Sequence, residues 1–425
     1  MIVIKEGGHR VFEHDEETSK VVSAMLLDLE KNGIDAVRSY SQKFDNWNPP
    51  SFELTPQEIE EASAKCDEQL RSDTLFCQNN VRNFAKAQMA TIKDLEVETY
   101  PGVILGHKNI PVRSVGSYIP GGVYPMFGSA QMSIIPAKVA GVESVIACTP
   151  PTRDGSYYPA TIHAIKEAGA DRIFVLGGVQ AFALMAFGMG VVNPVDILCG
   201  AGNKYVAEAK RQLFGRCGID LLAGPTEIGI IADDKSDPAL VACDLLGQAE
   251  HDPNSGQILI CLSEWHAKAV MAEIEKQMAV LPTRDIAQQS FRDYGQVFVA
   301  SSKDEAIALM DDWAPEHLEL LVEDTDYYFN RLENYGSLFI GEETTVAYGD
   351  KAIGTNHILP TGRAARYTGG VWVGKFLKTV TYQKMDKKAS IEIGEVTARQ
   401  CRAEHMIAHA LTCDYRVDKY SKEGE

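Results

Sequence analysis

The sequence predicts an α/β fold on three observations. Short β-branched runs alternate with helix-like stretches between about residues 110 and 345. The part before them reads as helix. The composition, 45% hydrophobic, 24% charged and 8% aromatic, is that of an ordinary globular protein. At roughly 100–200 residues per domain, two to four domains are expected in the 425-residue chain.

Residues 1–13 read as a short extension. Over 16–88 the pattern is helical: Val21, Val22, Met25, Leu26 and Leu29 recur at helical spacing, and Thr55-Pro56 is a cap-then-proline helix start. Trp47-Asn48-Pro49-Pro50 is a turn between them. In the first α/β series the strands are 144–148, 172–176 and 195–199, with helices over 160–167 and 180–187. In the second, strands over 227–232, 258–262, 296–300, 318–322 and 337–340 are joined by helices that include 238–251 and 265–278. The two series span about 110–226 and 227–345, without a residue-level repeat. From Gly374 the chain is polar and helical with no obvious core of its own, the pattern of a tail that docks on something, often a partner subunit.

The net charge of -18 is scattered and includes no basic stripe, so no nucleic-acid partner is expected. The N-terminus lacks a basic region followed by a long apolar one, so no signal peptide is expected. The longest uncharged apolar stretch, 181–192, contains Gly188 and Gly190 and falls short of the roughly 18 residues of a membrane span. Nine cysteines, an odd count with no C-x-x-C pair, read as reduced intracellular usage and point to the cytoplasm.

Four constellations carry chemistry. Gln248 and His251 end the helix that Asp237-Pro238 starts, and their spacing of three puts them on one helical face. Such a pair can chelate a metal, but a solvated helix terminus with a dipole-favoured His explains it more simply. Glu316-His317, before a strand, pairs two different proton-transfer groups, against the plainer reading of ordinary loop hydrogen bonds. The oxygen-rich stretch 341–350 follows the strand over 337–340. Ligands of open α/β sheets sit beyond the strands' carboxyl ends, which favours function for Asp350, Asn356 or His357. Glu404 and His409, five apart, read as adjacent faces of a surface helix. No G-x-G-x-x-G occurs; Gly177-Gly178-Val179-Gln180 and Gly200-Ala201-Gly202-Asn203 are weaker candidates for an anion at a helix N-terminus. A Walker A sequence and a Gly-x-Ser-x-Gly elbow are also absent.

Together these segments resemble the histidinol dehydrogenase family. The specific stretch runs from Ile219-Asp220-Leu221-Leu222-Ala223-Gly224-Pro225-Thr226-Glu227, through Ala232, to Asp244-Leu245-Leu246-Gly247-Gln248-Ala249-Glu250-His251. Tyr118-Ile119-Pro120-Gly121-Gly122, Gly-Gly-x-Gln, Gly-x-Gly-Asn, Pro-Glu-His and Gly-Thr-Asn-His follow the family's order over nearly the whole chain.

The resemblance implies two Rossmann-like parallel-sheet domains, a helical N-terminal segment and a helical, domain-swapped C-terminal tail. Its expected organisation is an extension over 1–13, a discontinuous first α/β domain over 14–117 with 227–373, a second, NAD-contacting domain over 118–226, and a tail over 374–425 docked on the partner subunit. It implies one Zn2+ per subunit, held by Gln248, His251, Asp350 and His409, with His409 reaching the other subunit of a homodimer. Glu316 and His317 match the acid/base pair. Tyr118, Gln180 and Asn203 match NAD contacts. Thr226, His317 and Glu404 match substrate contacts, together with the zinc ligands.

Three positions depart from the family pattern: Thr226 stands for a common Ser, Ala201 for a Pro, and Gly229 interrupts an apolar run. The first touches the expected substrate pocket, and the other two are expected to change loop shape only. Residues 342–351, Lys375-Phe376-Leu377-Lys378-Thr379 and the tail around His409 are similar to the sulfopropanediol 3-dehydrogenase branch. That resemblance implies oxidation of 2,3-dihydroxypropane-1-sulfonate to sulfolactate. L-histidinol oxidation to L-histidine is the alternative, and a zinc hydrolase or an inactive scaffold are readings from other classes. Arg363, Arg366, Lys375 and Lys378 are candidate cations for a sulfonate.

Overall fold

A computed structural model describes residues 1–8, 15–121 and 124–422. Residues 9–13 of the expected extension, and Gly122 of the Pro-Gly-Gly run, lie outside the described residues.

Along the chain come β1 (Ile2–Lys5), α1 (Glu16–Asp45), α2 (Pro56–Ala64), α3 (Glu68–Thr91), β2 (Leu95–Tyr100), β3 (Val103–Pro111) and β4 (Ser114–Tyr118). The first α/β series continues with α4 (Ser129–Ala140), β5 (Ser144–Thr149), α5 (Pro159–Ala168), β6 (Arg172–Val175), α6 (Gly178–Phe187), β7 (Ile197–Cys199), α7 (Lys204–Leu213) and β8 (Gly218–Ile219). The second holds β9 (Glu227–Ala232), α8 (Pro238–Ala249), β10 (Gly256–Cys261), α9 (Glu264–Met278), α10 (Arg284–Tyr294), β11 (Gly295–Val299), α11 (Lys303–Trp313), β12 (His317–Leu321), α12 (Thr325–Phe329), β13 (Ser337–Ile340) and α13 (Val346–Lys351). The chain closes with β14 (Leu377–Met385), α14 (Lys387–Ala403) and α15 (Ile407–Lys422).

Two compact units result: Met1–Gln88 with Val112–Phe376, and Met89–Pro111 with Leu377–Glu425. The first contains two sheets. One is parallel throughout, in the order β6-β5-β4-β7-β8. The other runs β1-β11-β10-β9-β12-β13, parallel except for β1, which pairs antiparallel with β11. Residues 2–5 of the expected extension are thus an edge strand. In each sheet the parallel strands run outward from a central strand, β4 or β9, first to one side and then to the other. The order therefore reverses between β4 and β7 and between β9 and β12, the kind of position where such sheets open a crevice.

Both faces of the six-stranded sheet are covered, which is why its strands are apolar runs and not alternations. Ile228 and Ile230 pack with Val241, Leu245 and Val270, while Ile231, Ile258 and Ile260 pack with Ile307, Met310 and Trp313. Gly229 lies inside β9, not in a loop. A Cβ there would meet Met310 Sδ at 2.5 Å and Pro315 Cγ at 3.1 Å. The missing side chain makes room for the residue before Glu316, which corrects the expectation of a loop adjustment. The five-stranded sheet shares a core with α1, α6 and α7, through Val22, Leu29, Phe174, Phe182 and Val206.

The second unit is an antiparallel sheet, β14-β3-β2, with α14 and α15. The tail read from sequence as helical therefore begins with a strand paired to β3. Its two helices pack closely: a Cβ at Gly394 would lie 2.9 Å from Val417 Cγ2. Among the described residues no helix is long and apolar enough to cross a membrane.

Candidate active site

The reversal point of the six-stranded sheet carries most of the singled-out residues, at the strands' amino ends. Thr226 directly precedes β9, and Glu316 and His317 enter β12, its parallel neighbour. Glu316 Oε2 accepts from Thr226 Oγ1 at 2.6 Å and from the Glu227 amide at 3.0 Å. Burial pushes the Glu316 carboxyl well above its usual range, against those two bonds.

His317 Nδ1 lies 2.9 Å from the Glu227 carbonyl oxygen. A carbonyl only accepts, so Nδ1 carries the hydrogen and Nε2 keeps a lone pair. That Nε2 is buried and has no hydrogen-bond partner among the described residues. It lies 3.8 Å from Asp350 Oδ1. Burial lowers the imidazole's pKa, opposed by the charge of Asp350. Desolvation thus favours the neutral ring, in which the Nε2 lone pair faces the space beside Asp350.

Gln248 and His251 arrive from the C-terminal end of α8, next to the amino edge of the same sheet. Gln248 is 3% exposed, and its Nε2 donates to Thr226 Oγ1. A chain of hydrogen bonds therefore runs from Gln248 through Thr226 to Glu316, leaving Gln248 Oε1 as the atom able to ligate a metal. His251 is lowered by burial, with Asp350 the largest opposing charge. Asp350 comes from the end of α13, which returns from β13 toward the amino edge. The expectation that it works at the carboxyl end of β13 gives way to this route.

His357 holds the Asp350 segment: its Nδ1 lies 3.0 Å from the Asp350 carbonyl oxygen and its Nε2 3.0 Å from Ser129 Oγ. Asn356 donates to the Met132 carbonyl at 2.7 Å and accepts from the Ile358 amide at 2.9 Å, so it orders the loop.

A zinc ion takes nitrogen and oxygen donors in a tetrahedron. Gln248, His251 and Asp350 offer an amide oxygen, an imidazole and a carboxylate beside the orphaned His317 Nε2, and this donor chemistry fits zinc. Among the described residues no group of three His, Cys, Asp or Glu gathers as a metal cluster. In the expected set only His251 and Asp350 are of those kinds within the first unit.

The five-stranded sheet presents its carboxyl edge. Tyr118 ends β4, and its hydroxyl accepts from the Gly178 amide at 3.3 Å, while burial pushes the phenol up to about 12. Gly200 follows β7 with φ +124°; a Cβ there would lie 2.2 Å from the Tyr118 carbonyl oxygen, so only glycine closes this loop. The buried pair Lys210 and Asp220 fixes it: Lys210 Nζ donates to the Gly200 carbonyl at 2.7 Å and the Gly200 amide to Asp220 at 2.8 Å. Asn203 caps α7, accepting from the Tyr205 and Val206 amides at 3.0 and 3.2 Å. A cavity of about 790 Å3 has Gly202, Asn203 and Lys204 on one side and Glu227 and Gly362 on another. Gln180 Nε2 donates to Asp45 at 3.1 Å.

Glu404 and His409 belong to the second unit. They do not share a helix: Glu404 ends α14, His405 has φ +61°, and His409 lies in the first turn of α15. Both side chains are exposed. The sulfonate candidates are scattered. Arg363 pairs with Asp312 at 2.6 Å, and Lys378 lies in β14.

Two residues at the amino edge were given no role from sequence. Lys351 follows Asp350, and its charge acts on both His251 and His357. Its side chain runs along Gly128, where a Cβ would lie 3.6 Å from its Cδ. Glu227 is the second: its main chain holds both Glu316 and His317. Glu227 follows Thr226 directly, a signal available in the sequence, but its side chain drew no attention there.

The chain matches the histidinol dehydrogenase family model over residues 9–417. A histidinol dehydrogenase homolog of Shouchella clausii is 52% identical over 96% of each chain. The sulfopropanediol 3-dehydrogenase of Ruegeria pomeroyi is 46% identical, covering 95% of this chain and 93% of its own. The histidinol dehydrogenase of Methanosarcina mazei is 41% identical, over 93% and 90%. The crystal structure of histidinol dehydrogenase from Elizabethkingia anophelis superposes with a TM-score of 0.92 at 33% identity, covering 97% of this chain and 95% of that one. On sequence, fold and arrangement alike, the chain belongs to the histidinol dehydrogenase family, whose members are NAD-dependent dehydrogenases acting on CH–OH donors.

Proposed function

We propose that this protein oxidises a small polar primary alcohol to its carboxylate in two NAD-dependent steps through a bound aldehyde, with one zinc ion per subunit. We read the alcohol as 2,3-dihydroxypropane-1-sulfonate, which gives sulfolactate. The observation that carries the reaction is the His317 imidazole, held by the Glu227 carbonyl so that a buried Nε2, without a hydrogen-bond partner among the described residues, faces the space beside Asp350.

Gln248, His251 and Asp350 would hold the zinc, with His409 of a second subunit completing the set in a homodimer whose active sites are shared. Bound there, zinc supplies a Lewis acid that anchors and polarises an alcohol or carbonyl oxygen. Tyr118, Gln180 and Asn203 would hold NAD, which would supply the two-electron hydride acceptor for each oxidation. His317 Nε2 takes the hydroxyl proton as the first oxidation forms the aldehyde. Glu316, whose carboxyl burial holds well above its usual range, would take one from the water that adds to the aldehyde. Thr226 steadies Glu316 and links it to Gln248. Each turnover consumes one alcohol, one water and two NAD+, and releases a carboxylate, two NADH and three protons. Two unlike proton-transfer groups side by side suit these two unlike steps.

Lys351, whose charge acts on His251 and His357, would favour an anionic substrate bound beside them. The 46% identity to the Ruegeria pomeroyi sulfopropanediol 3-dehydrogenase points the same way. L-histidinol oxidation is the second reading. The 41% identity to the Methanosarcina mazei histidinol dehydrogenase favours it, and Glu404 is a carboxylate that suits the substrate's amine. The nine free cysteines support a cytoplasmic setting.

NADH formation by the purified protein with each alcohol tests the proposal, alongside metal content by mass spectrometry. Dihydroxypropanesulfonate should yield two NADH per molecule consumed. A yield of one would reject the four-electron reaction, and turnover of histidinol alone would reject the sulfonate.

A further inference from the structure

Asp45 is the last residue of α1, where the helix turns out of its axis at Asn46 with φ +51°. A carboxylate at a helix C-terminus faces the negative end of the dipole, so α1 itself gains nothing from it. Its surroundings add a second cost. The carboxyl is half-buried, and desolvation lifts its pKa despite the hydrogen bond from Gln180. An ionised carboxylate has about four acceptor sites. Gln180 Nε2, at 3.1 Å, is the donor it has among the described residues.

Its place in the fold gives a reason for these costs. Asp45 Oδ2 would lie 3.6 Å from a Cβ at Gly177, directly over the turn between β6 and α6. Its charge reaches the Tyr118 phenol at the end of β4. Three elements therefore bring Asp45, Tyr118 and Gln180 together at the carboxyl edge of the five-stranded sheet. Helix capping does not account for the carboxylate. The N-cap of α6 is Gly177, which receives no side-chain cap, and the Gly178 amide donates to Tyr118 instead.

We infer that Asp45 receives the 2′- and 3′-hydroxyls of the adenosine ribose of NAD and thereby excludes the 2′-phosphate of NADP. A vicinal diol supplies two of the donors that the carboxylate lacks. A phosphate dianion at the same place meets a negative charge in a desolvated setting, which is strongly unfavourable. An acidic side chain beside a glycine turn at the carboxyl edge of a parallel sheet is the general solution for holding a ribose hydroxyl. This chain lacks the G-x-G-x-x-G fingerprint that normally accompanies it, and here the acid comes from a helix end far upstream in sequence.

The inference rests on the NAD reading proposed above. Its test is the binding and kinetics of NAD and NADP with the full-length wild type, Asp45→Ser, Asp45→Asn and Asn203→Ala. The wild type should prefer NAD by at least about 100-fold in kcat/KM. Asp45→Ser should raise the KM for NAD about tenfold or more, a larger change than in kcat, and cut the NAD:NADP preference by about tenfold or more. Melting temperatures within a few degrees of the wild type establish that the variants fold. If Asp45→Ser does not, Asp45→Asn, which keeps the shape and loses the charge, must show the same loss of preference. An unchanged NAD:NADP preference in a folded variant overturns the inference. The NAD-site reading fails separately if the wild type binds no NAD. If Asn203→Ala weakens NAD and Asp45→Ser leaves its KM unaltered, only the role of Asp45 falls.

Discussion

The five-stranded and six-stranded sheets share a strand order but use opposite edges. Around β4 the candidate residues lie past the strands' carboxyl ends, in the Gly177–Gly178 turn and the Gly200–Asn203 loop. Around β9 they lie before the amino ends, at Thr226, Glu316 and His317, with Gln248, His251 and Asp350 brought back by α8 and α13. The first edge offers backbone amides and glycines, which suit a large anionic cofactor. The second offers buried side chains whose ionisation is shifted by desolvation, which suit proton transfer. On the proposed function, one topology divides binding from chemistry by choosing its edge.

The largest expected effect breaks the amino edge. His317→Asn keeps a side chain of similar reach but has no titratable nitrogen. Turnover should fall by about 10²–10⁴-fold, the usual contribution of a positioned general base. NAD affinity, which the proposal assigns to the other edge, should change less than threefold, or about 0.6 kcal/mol. Single-turnover kinetics together with NAD titration separate the two, and full turnover would remove His317 from the mechanism.

The carboxyl edge is broken next by Gly200→Ala. The new Cβ meets the Tyr118 carbonyl at 2.2 Å in a backbone conformation with φ +124°. Strain of about 1–3 kcal/mol follows, and relief requires moving either the loop or Tyr118. NAD affinity should drop about tenfold or more by titration, with a lowered melting temperature. An unaltered affinity would show that the loop does not touch the cofactor.

These two edges were not equally legible in the sequence. The strands β9 and β13 and the helix start at Pro238 stand where hydrophobic runs and capping residues put them. The glycine loops of the first series were visible because glycine after a strand and before a helix has few other uses. The three-stranded sheet of the second unit was not read, because β2 and β14 expose most of their residues and so lack the strict alternation of a half-buried strand. Gln248 and His251 looked like a helix end because a partner 99 residues on, Asp350, is joined to them only by tertiary structure (350 − 251 = 99). Resemblance, not spacing, united them. Lys351 and Asp45 escaped notice because a single charge at a helix end is ordinary until its neighbours are known.

A smaller effect sharpens the amino edge. Thr226 Oγ1 donates to Glu316 and accepts from Gln248. Thr226→Val removes the hydroxyl at nearly constant volume, leaving a buried carboxyl and a buried amide each short of a partner. The cost of about 1–3 kcal/mol for an unsatisfied buried group predicts a roughly 10- to 100-fold loss in kcat/KM. Thr226→Ser keeps the hydroxyl and should stay within about fivefold, or about 1 kcal/mol. If the serine variant falls as far as valine, the methyl group and not the hydrogen bond matters.

The smallest effect on turnover, and one read through stability, is at Glu227. Its main chain, not its side chain, holds Glu316 and His317, so Glu227→Gln should disturb turnover least of these variants. Its side chain accepts from the Gly362 amide at 3.0 Å, while Oε2 is buried without a partner among the described residues. Burial pushes the carboxyl up to about 8. The folded state therefore holds a proton that the unfolded chain releases near its ordinary carboxyl pKa of about 4.3. Below that pH both states are protonated and the group is neutral to stability. As pH rises from about 4.3 toward 8, the unfolded state gains an ionisation that the folded state resists, so the wild type loses stability. Glu227→Gln has no such group. Its melting temperature relative to the wild type should climb across this window and level off above it. A constant difference from pH 5 to 8 would mean that Glu227 is ionised in the folded protein, and that the amino edge tolerates a buried charge beside Glu316.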